Sequence, residues 1–156
     1  MSLLVTSCSG SVEEPIRLQG MVAFPPKDTV RFALPATMHR CSDRRSILLQ
    51  GLSPQGNGVL ARLRFRDSLT SGLYRITALG DTVTTPSANA AVRYVLRDVP
   101  HTFAFDTGSA QLRRDGTSVG LRVTGSGIEN AIRTPARIEF HDVPIATDTV
   151  SCGYQP

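Results

Sequence analysis

The sequence predicts an all-β domain, an antiparallel β-sandwich of the immunoglobulin-like or jelly-roll kind with about nine to ten short strands. Three observations point to this class. Apolar and polar residues alternate with a period of two from Ile16 onward, whereas no window keeps the 3.6-residue period of a helix. Turn-forming residues interrupt the alternation roughly every 8–12 residues, a spacing typical of sandwiches and barrels. A parallel sheet would need crossover helices, for which this pattern leaves no place.

The first part of the chain carries the clearest alternation. In residues 16–24 every second side chain is apolar or small, and a proline-containing turn at 25–28 separates this strand from the next, 30–34. A third strand, residues 46–52, ends at the turn 53–58, which contains proline and two glycines. Residues 16–52 are therefore predicted to hold three half-buried strands.

The strand predicted at residues 59–65 carries a candidate for function. Its odd-numbered residues are apolar and are expected to face the core, whereas Arg62, Arg64 and Arg66 are expected to face outward together. Like charges on one strand repel unless acids on neighbouring strands compensate them. The three arginines are therefore a candidate docking strip for an acidic protein surface or anionic lipid headgroups. The alternative is a solvated face or an edge protected by charge.

The rest of the chain continues the short-strand pattern. Asp115 and Gly116 predict a hairpin turn of the type that needs positive φ. Residues 125–131 leave room for one helical turn at most. The remaining predicted strands are 73–79, 91–99, 102–107, 110–113, 119–123, 137–143 and a short last segment at 147–152.

The basic residues of the chain are almost all arginines, and more of them lie in its first half. The chain has 17 basic and 13 acidic residues, a formal net charge of +4, and Lys27 is its only lysine. The basic excess lies in the first half. Nucleic-acid binding is not predicted, because such proteins normally show lysines and exposed aromatics for stacking. No apolar run approaches the length of a membrane span, so we expect any membrane contact to be peripheral or by an anchor.

The start of the chain suggests an anchor. The sequence Val5-Thr6-Ser7-Cys8 resembles the lipobox of bacterial lipoproteins, in which the cysteine is lipidated and becomes the first residue of the mature protein. The resemblance implies lipidation at Cys8 and a periplasmic or other extracytoplasmic, membrane-associated location. Residues 1–15 are then a tether or signal remnant, and residues 16–156 form the single sandwich domain. The basic start and long apolar stretch of a signal peptide are lacking here. Either the true start lies upstream, or the match is accidental and this is a frayed N-terminal segment.

The other two cysteines form an even pair once Cys8 is set apart. A disulfide between Cys41 and Cys152 would close a long loop and hold a C-terminal tail that otherwise frays. It would also indicate an oxidising compartment. The alternative is two unrelated buried thiols. No cysteine or histidine spacing predicts a metal site.

One motif resembles an enzyme. Asp106-Thr107-Gly108-Ser109, after an apolar strand, resembles the active-site turn of aspartic proteases, and as a single copy it implies a dimer of the retroviral kind. Arginines soon after the motif and the short remaining chain depart from that family. A structural turn rich in Asp, Thr and Gly is the simpler interpretation.

The combined expectation is a non-enzymatic, extracytoplasmic interaction protein without cofactor or metal. It would be an accessory subunit that docks onto a larger membrane protein complex, such as a respiratory or photosynthetic assembly, or onto an anionic membrane surface. The alternative is a ligand- or glycan-binding module of the cell envelope, although the absence of Trp disfavours stacking on sugars. An aspartic protease is the remote alternative.

Overall fold

The computed structural model describes residues 10–81 and 83–152, which form eleven β-strands. All regular structure in this part is β-strand, so the predicted all-β class is confirmed. Cys8 lies outside the described residues. The strands are β1 (Leu18–Phe24), β2 (Asp28–Leu34), β3 (Thr37–Cys41), β4 (Ser46–Leu52), β5 (Gly58–Arg64), β6 (Gly72–Ile76), β7 (Ser87–Leu96), β8 (Val99–Asp115), β9 (Ser118–Glu129), β10 (Ile132–Pro144) and β11 (Thr149–Val150).

The described strands form one strongly curled sheet rather than the two separate sheets of a sandwich. Their order is β11-β3-β4-β5-β7-β6-β8-β9-β10-β1-β2, and β7 also pairs directly with β8. The sheet is mixed, because β3–β11 and β6–β7 are parallel while the other pairs are antiparallel. The expectations of a purely antiparallel sandwich and of nine to ten strands therefore need correction.

Strand β8 explains why the sheet is continuous. Its residues 99–104 pair with β7, whereas its residues 109–112 pair with β6. Between these two parts, the pairing with β9 shifts register between Phe105 and Thr107, and Gly108 has a φ of +119°. A bulge bends a strand and increases its twist. One long strand can thus pass from one half of the sheet to the other, where the sequence pattern predicted two short strands.

Two further local predictions are corrected. Strand β3 was not predicted, because its five residues include His39 and Arg40 and alternate weakly. The helical turn considered for residues 125–131 is replaced by the end of β9 and a tight turn. Asn130 and Ala131 in that turn have φ of +48° and +64°, and two such residues match the right-handed twist of a hairpin.

The curl encloses a core made of the inward side chains of both halves of the sheet. At the ends of the curl, β2 approaches β7 and β3 approaches β10. The ring of Phe24 lies 6.4 Å from that of Tyr94, and Asp28 forms an ion pair with Arg97 at 3.0 Å. The largest fully buried side chains are Tyr94, Phe105, Phe140, Leu18, Leu49, Leu63, Leu112, Ile138, Val22, Val92, Val119 and Val123.

The predicted cysteine pair is confirmed. The sulfur atoms of Cys41 and Cys152 are 2.09 Å apart and their Cα atoms 5.3 Å apart, across a sequence separation of 111 residues. Cys41 ends β3, and Cys152 follows the short strand β11, which pairs with β3. The disulfide therefore fastens the C-terminal segment to the edge of the sheet. No helix able to cross a membrane occurs in the part of the chain that the structure describes.

Candidate functional site: an arginine-rich sheet face

The three arginines predicted as a docking strip do not share one strand. Strand β5 ends at Arg64, and Arg66 lies in the bend that follows. Arg62 and Arg64 point outward as predicted but are partly buried, whereas Arg66 is exposed. The expected row of three is therefore corrected to two arginines on β5 and one beyond its end.

Arg62 is held by three acceptors. Its guanidinium donates to Ser46 Oγ at 3.1 Å, to the backbone carbonyl of Cys152 at 2.9 Å and to Asp43 Oδ2 at 2.8 Å. Only 21% of its side chain is exposed. Partial burial raises the pKa of Asp43, but hydrogen bonds from Ser46, the Arg45 N–H and Arg62 outweigh this and hold the pKa below its usual range. Arg62 thus joins β5 to the β3–β4 turn and to the C-terminal segment.

Arg64 is also fixed to a neighbouring turn. Its Nη1 donates to the backbone carbonyl of Asp81 at 2.9 Å. The Asp81 carboxylate accepts hydrogen bonds from the Thr84 hydroxyl, the Thr84 N–H and the Val83 N–H. These bonds lower the pKa of Asp81 to about 2. The two β5 arginines therefore have structural partners within the chain.

A second set of arginines covers the outer surface of the opposite half of the sheet. We call this surface the arginine face. It is formed by the outward side chains of β2, β1, β10, β9, β8 and β6, which the sheet register places in rows. Its arginines are Arg31, Arg75, Arg113, Arg122, Arg133 and Arg137.

Two adjacent rows carry most of this charge. Residues in register across a sheet share a face. The first row runs Arg31, Met21, Arg137, Thr124, Ser109 and Arg75, and the second runs Ala33, Gln19, Glu139, Arg122, Gln111 and Leu73. Arg113 lies in the next row, opposite Gly120. Arginines thus recur at intervals of one to three strands, about 5–15 Å.

Glu139 lies at the centre of the arginine face. It accepts hydrogen bonds from Arg122 Nε at 2.8 Å and from Arg137 Nε and Nη2 at 2.9 and 2.5 Å, and His141 Nε2 lies 3.5 Å away. The Arg137 hydrogen bonds contribute most to holding the pKa of Glu139 below its usual range. Its side chain is only 19% exposed, whereas those of Arg122 and Arg137 are 56% and 49% exposed. One shielded carboxylate therefore orients two guanidinium groups that remain open to solvent.

Apart from Arg133, which is paired with Asp106, the other arginines of the face are less restrained. The Arg113 side chain is 82% exposed and lies 3.7 Å from Asp115. Arg31 and Arg75 are exposed and make no side-chain hydrogen bond or ion pair with the residues that the structure describes. Their charges are not neutralised within this part of the chain.

Three adjoining depressions cross the arginine face. The first, about 470 Å³, lies between Arg31 and Arg137, and the second, about 550 Å³, lies among Arg113, Arg122 and His141. These two share Glu139 in their walls. The third, about 330 Å³, shares Arg113 and His141 with the second. The first and second depressions form a shallow channel that runs across the strands, from β2 to β8, and they meet at Glu139. The third lies beside the second over the same strands and is also lined by Asp115 and Asp142.

A histidine–carboxylate–tyrosine cluster lies elsewhere, near the β9–β10 turn. His101 Nδ1 is 3.2 Å from Glu129 Oε1, the Tyr94 hydroxyl donates to Glu129 Oε2 at 3.3 Å, and the two rings stack 5.1 Å apart. Burial and the charge of Glu129 raise the pKa of Tyr94 to about 12. The sequence offered no sign of this cluster, because pairing of β7, β8 and β9 brings it together. Its polar groups hold the turn against the sheet.

Asp106 is part of an ion pair rather than of a tight turn. Its carboxylate accepts from both terminal nitrogens of Arg133, at 2.7 and 3.2 Å, and both side chains are about half exposed. The Arg133 hydrogen bond lowers the pKa of Asp106. The motif lies inside β8, where Gly108 approaches Thr124 and Gly125 so closely that an added Cβ would meet backbone atoms at 2.1–2.6 Å. Close packing of two strands thus explains the glycine.

Among residues 10–81 and 83–152, no group of three or more potential metal-binding side chains occurs. No protein-family model, curated protein or solved structure matches the chain.

Proposed function

We propose that this chain is a non-enzymatic binding module of an extracytoplasmic compartment, and that it docks onto an anionic partner at the membrane with its arginine face. The role fits an accessory subunit at the surface of a larger membrane assembly. The docking surface differs from the strip expected from the sequence, because Arg62 and Arg64 already have partners within the chain.

The observation that carries the proposal is the unbalanced charge of the arginine face. Six arginines share this surface, and Arg31 and Arg75 have no side-chain partner among the described residues. Met21 lies opposite Arg31 in the sheet register and Ser109 lies opposite Arg75, so neither neighbour is an acid that could compensate the charge. An anionic partner would do so, and arginine is the basic residue enriched at protein interfaces, where lysine is depleted.

The disulfide supports the proposed extracytoplasmic location. Cys41 and Cys152 lie at bonding distance, and disulfides persist in oxidising compartments such as the periplasm. The lipobox-like segment that ends at Cys8 would hold the domain close to a membrane. Both features favour a protein that works outside the cytoplasm.

The surroundings of the candidate catalytic groups support a binding role. Asp106 is paired with Arg133, whereas an aspartic protease needs two carboxylates that share a proton. His101 is stacked on Tyr94 and bonded to Glu129. The contacts of Asp106 and His101 stabilise the fold, and neither contact places a nucleophile beside a base.

The test compares two triple variants with the same loss of charge. Arg31, Arg75 and Arg113 are changed to Gln on the arginine face, and Arg44, Arg66 and Arg93 are changed to Gln as the control. The control arginines are also exposed and make no side-chain hydrogen bond within the described residues. The purified full chain carries Cys8→Ser throughout, so that an anchor does not contribute, and is titrated onto washed membranes of the producing cell.

We expect the face variant to bind about tenfold more weakly than wild type, because three exposed charge contacts are worth roughly 1–2 kcal/mol together. The control should bind like wild type. Rising salt should weaken wild-type binding, since exposed charges are screened. Equal binding by the two variants would contradict docking through this face.

A further inference from the structure

We infer that the channel across the arginine face binds one linear acidic polysaccharide chain. This inference rests on the proposed function and names its ligand. The class consists of glycans with regularly spaced carboxylate or sulfate groups. The chain would lie across the strands, with its anionic groups on successive arginines and its hydroxyl groups on the neutral side chains between them.

The shape of the channel suits an extended polymer. Its two depressions meet at Glu139 and together cross five neighbouring strands, β2, β1, β10, β9 and β8. Strands lie about 4.8 Å apart, so the channel is roughly 20 Å long. A single small anion would occupy one depression and leave the other empty, whereas a chain of several sugar rings would fill both.

The arginines are prepared to bind anionic groups. Glu139 holds Arg122 through Nε, so that both terminal nitrogens of this side chain remain available. A planar guanidinium donates two parallel hydrogen bonds to a carboxylate or sulfate. Arg31 lies at one end of the channel and Arg113 at the other, each without a strong internal partner. A polymer could therefore be held at three separated points.

Neutral residues line both depressions and suit a glycan, and the one carboxylate where the depressions meet, Glu139, is already bonded to Arg122 and Arg137. Gln19 lies in the first depression and Gln111 in the second, and both offer donors and acceptors to sugar hydroxyls. The phenylalanines below the channel, Phe32 and Phe140, are buried by the sheet. Stacking on an exposed aromatic ring, the usual device for neutral sugars, is thus not offered by these two rings. Recognition here would depend on charge.

An acidic peptide fits the channel less well. Strands β1, β10, β9 and β8 are each paired on both sides, so their backbone N–H and C=O groups are used in the sheet. A peptide lying across them would find few partners for its own backbone groups, and burying those groups unpaired costs free energy. A polysaccharide has no such backbone. A flat lipid surface, in turn, would need protruding arginines but no channel.

The experiment measures binding of defined oligosaccharides to the full chain by calorimetry at physiological salt. The probes are a hexamer and a dimer of uronic acid, a sulfated hexamer, a neutral glucose hexamer, a glutamate hexapeptide and vesicles of phosphatidylcholine with phosphatidylglycerol. The variants are Arg122→Gln, Arg122→Lys and Arg31→Gln, with Arg93→Gln as the matched control on the other half of the sheet.

We expect one acidic hexamer per protein, bound at least tenfold more tightly than the dimer and with no detectable binding of the neutral hexamer. Arg122→Gln and Arg31→Gln should each weaken hexamer binding about three- to tenfold, and Arg93→Gln should leave it unchanged. Arg122→Lys should weaken binding less than Arg122→Gln but not restore it, because lysine keeps the charge and loses the paired donors. Tighter binding of the uronate or of the sulfated hexamer identifies the anionic group, and either supports the inference.

Three results would overturn the inference. Equal affinity for the glutamate peptide would make a peptide the ligand. Vesicle binding that depends on the arginine face, without binding of any acidic oligosaccharide, would reject the polysaccharide but keep the proposed docking function. Identical behaviour of Arg122→Gln and Arg93→Gln with every probe would reject the polysaccharide, whereas the docking function is rejected separately by the membrane titration.

Discussion

The arginines of β5 and those of the arginine face have the same chemistry but different surroundings. Arg62 on β5 donates three hydrogen bonds to groups of its own chain and is mostly shielded from water. Arg122 donates one hydrogen bond to Glu139 and keeps more than half of its side chain exposed. An outward arginine is therefore available to a partner only when the fold leaves its donors unused. The first set stabilises the domain, and the second set is the better candidate for binding.

The largest expected effect is on the free energy of unfolding and concerns the Cys41–Cys152 disulfide. Arg62 contacts this crosslink by donating a hydrogen bond to the backbone carbonyl of Cys152. Replacing Cys41 and Cys152 by Ser should lower the free energy of unfolding by about 2–5 kcal/mol, because a long closed loop is released in the unfolded chain. Urea denaturation measures this change. Reduction and alkylation of the wild type should produce a fall of similar size, and an unchanged midpoint in both would show that the crosslink does not stabilise the fold.

The next effect separates the two sets of arginines directly. Arg62→Gln removes charged hydrogen bonds in a partly buried place and leaves Asp43 without its ion-pair partner, so we expect a loss of about 1–2 kcal/mol. Arg122→Gln, on the exposed face, should change stability by less than about 0.5 kcal/mol. Denaturation of the two variants side by side tests this. A larger loss for Arg122→Gln would reverse the assignment of structural and binding roles.

The sequence predicted the directions of these side chains but not their partners. Alternation along β5 indicates that Arg62 and Arg64 face outward, and the even pair of cysteines indicates the Cys41–Cys152 bond. The acceptors of Arg62, however, lie 19 and 90 residues away in the chain. Only the folded sheet brings them together, and local periodicity contains no information about such contacts.

The arrangement of the arginine face could not be predicted from the sequence either. Arg31, Arg137 and Arg75 belong to one row only because β2, β1, β10, β9, β8 and β6 pair in a particular register. A shift by one residue would move them to the core side. The register depends on long-range pairing and on the bulge in β8. The distribution of basic residues between the two halves of the sequence therefore did not show which arginines share a surface in the folded chain.

A smaller effect concerns acid stability. The pKa of Asp43 is lowered in the folded state, so above about pH 5 neither the folded nor the unfolded chain binds a proton at this carboxyl and the stabilisation is complete. As the pH falls through the folded-state pKa, the unfolded chain binds protons first and this stabilisation is lost. Wild type should therefore lose stability between about pH 5 and pH 2, and Asp43→Asn should lose less over the same interval.

Glu139 on the arginine face allows a parallel measurement, because its pKa is lowered in the same direction. Denaturation of Glu139→Gln at neutral and at acid pH should likewise show a weaker pH dependence than that of wild type. A pH dependence as steep as that of wild type in both variants would mean that neither carboxylate contributes to acid sensitivity.

The smallest expected effect is at Arg66. Reversing its charge tests whether docking uses the β5 side of the sheet or the arginine face. Arg66 belongs to the strip that the sequence singled out, yet it lies beyond the end of β5 and makes no side-chain hydrogen bond with the described residues. Its guanidinium is as available as those of the arginine face.

Arg66→Glu should leave the free energy of unfolding within about 0.5 kcal/mol of wild type. It should also leave membrane binding unchanged, because Arg66 lies in the other half of the sheet. Arg31→Glu, an equal charge reversal on the arginine face, should weaken binding severalfold. If Arg66→Glu released the protein and Arg31→Glu did not, docking would occur through the β5 side, as the sequence alone suggested.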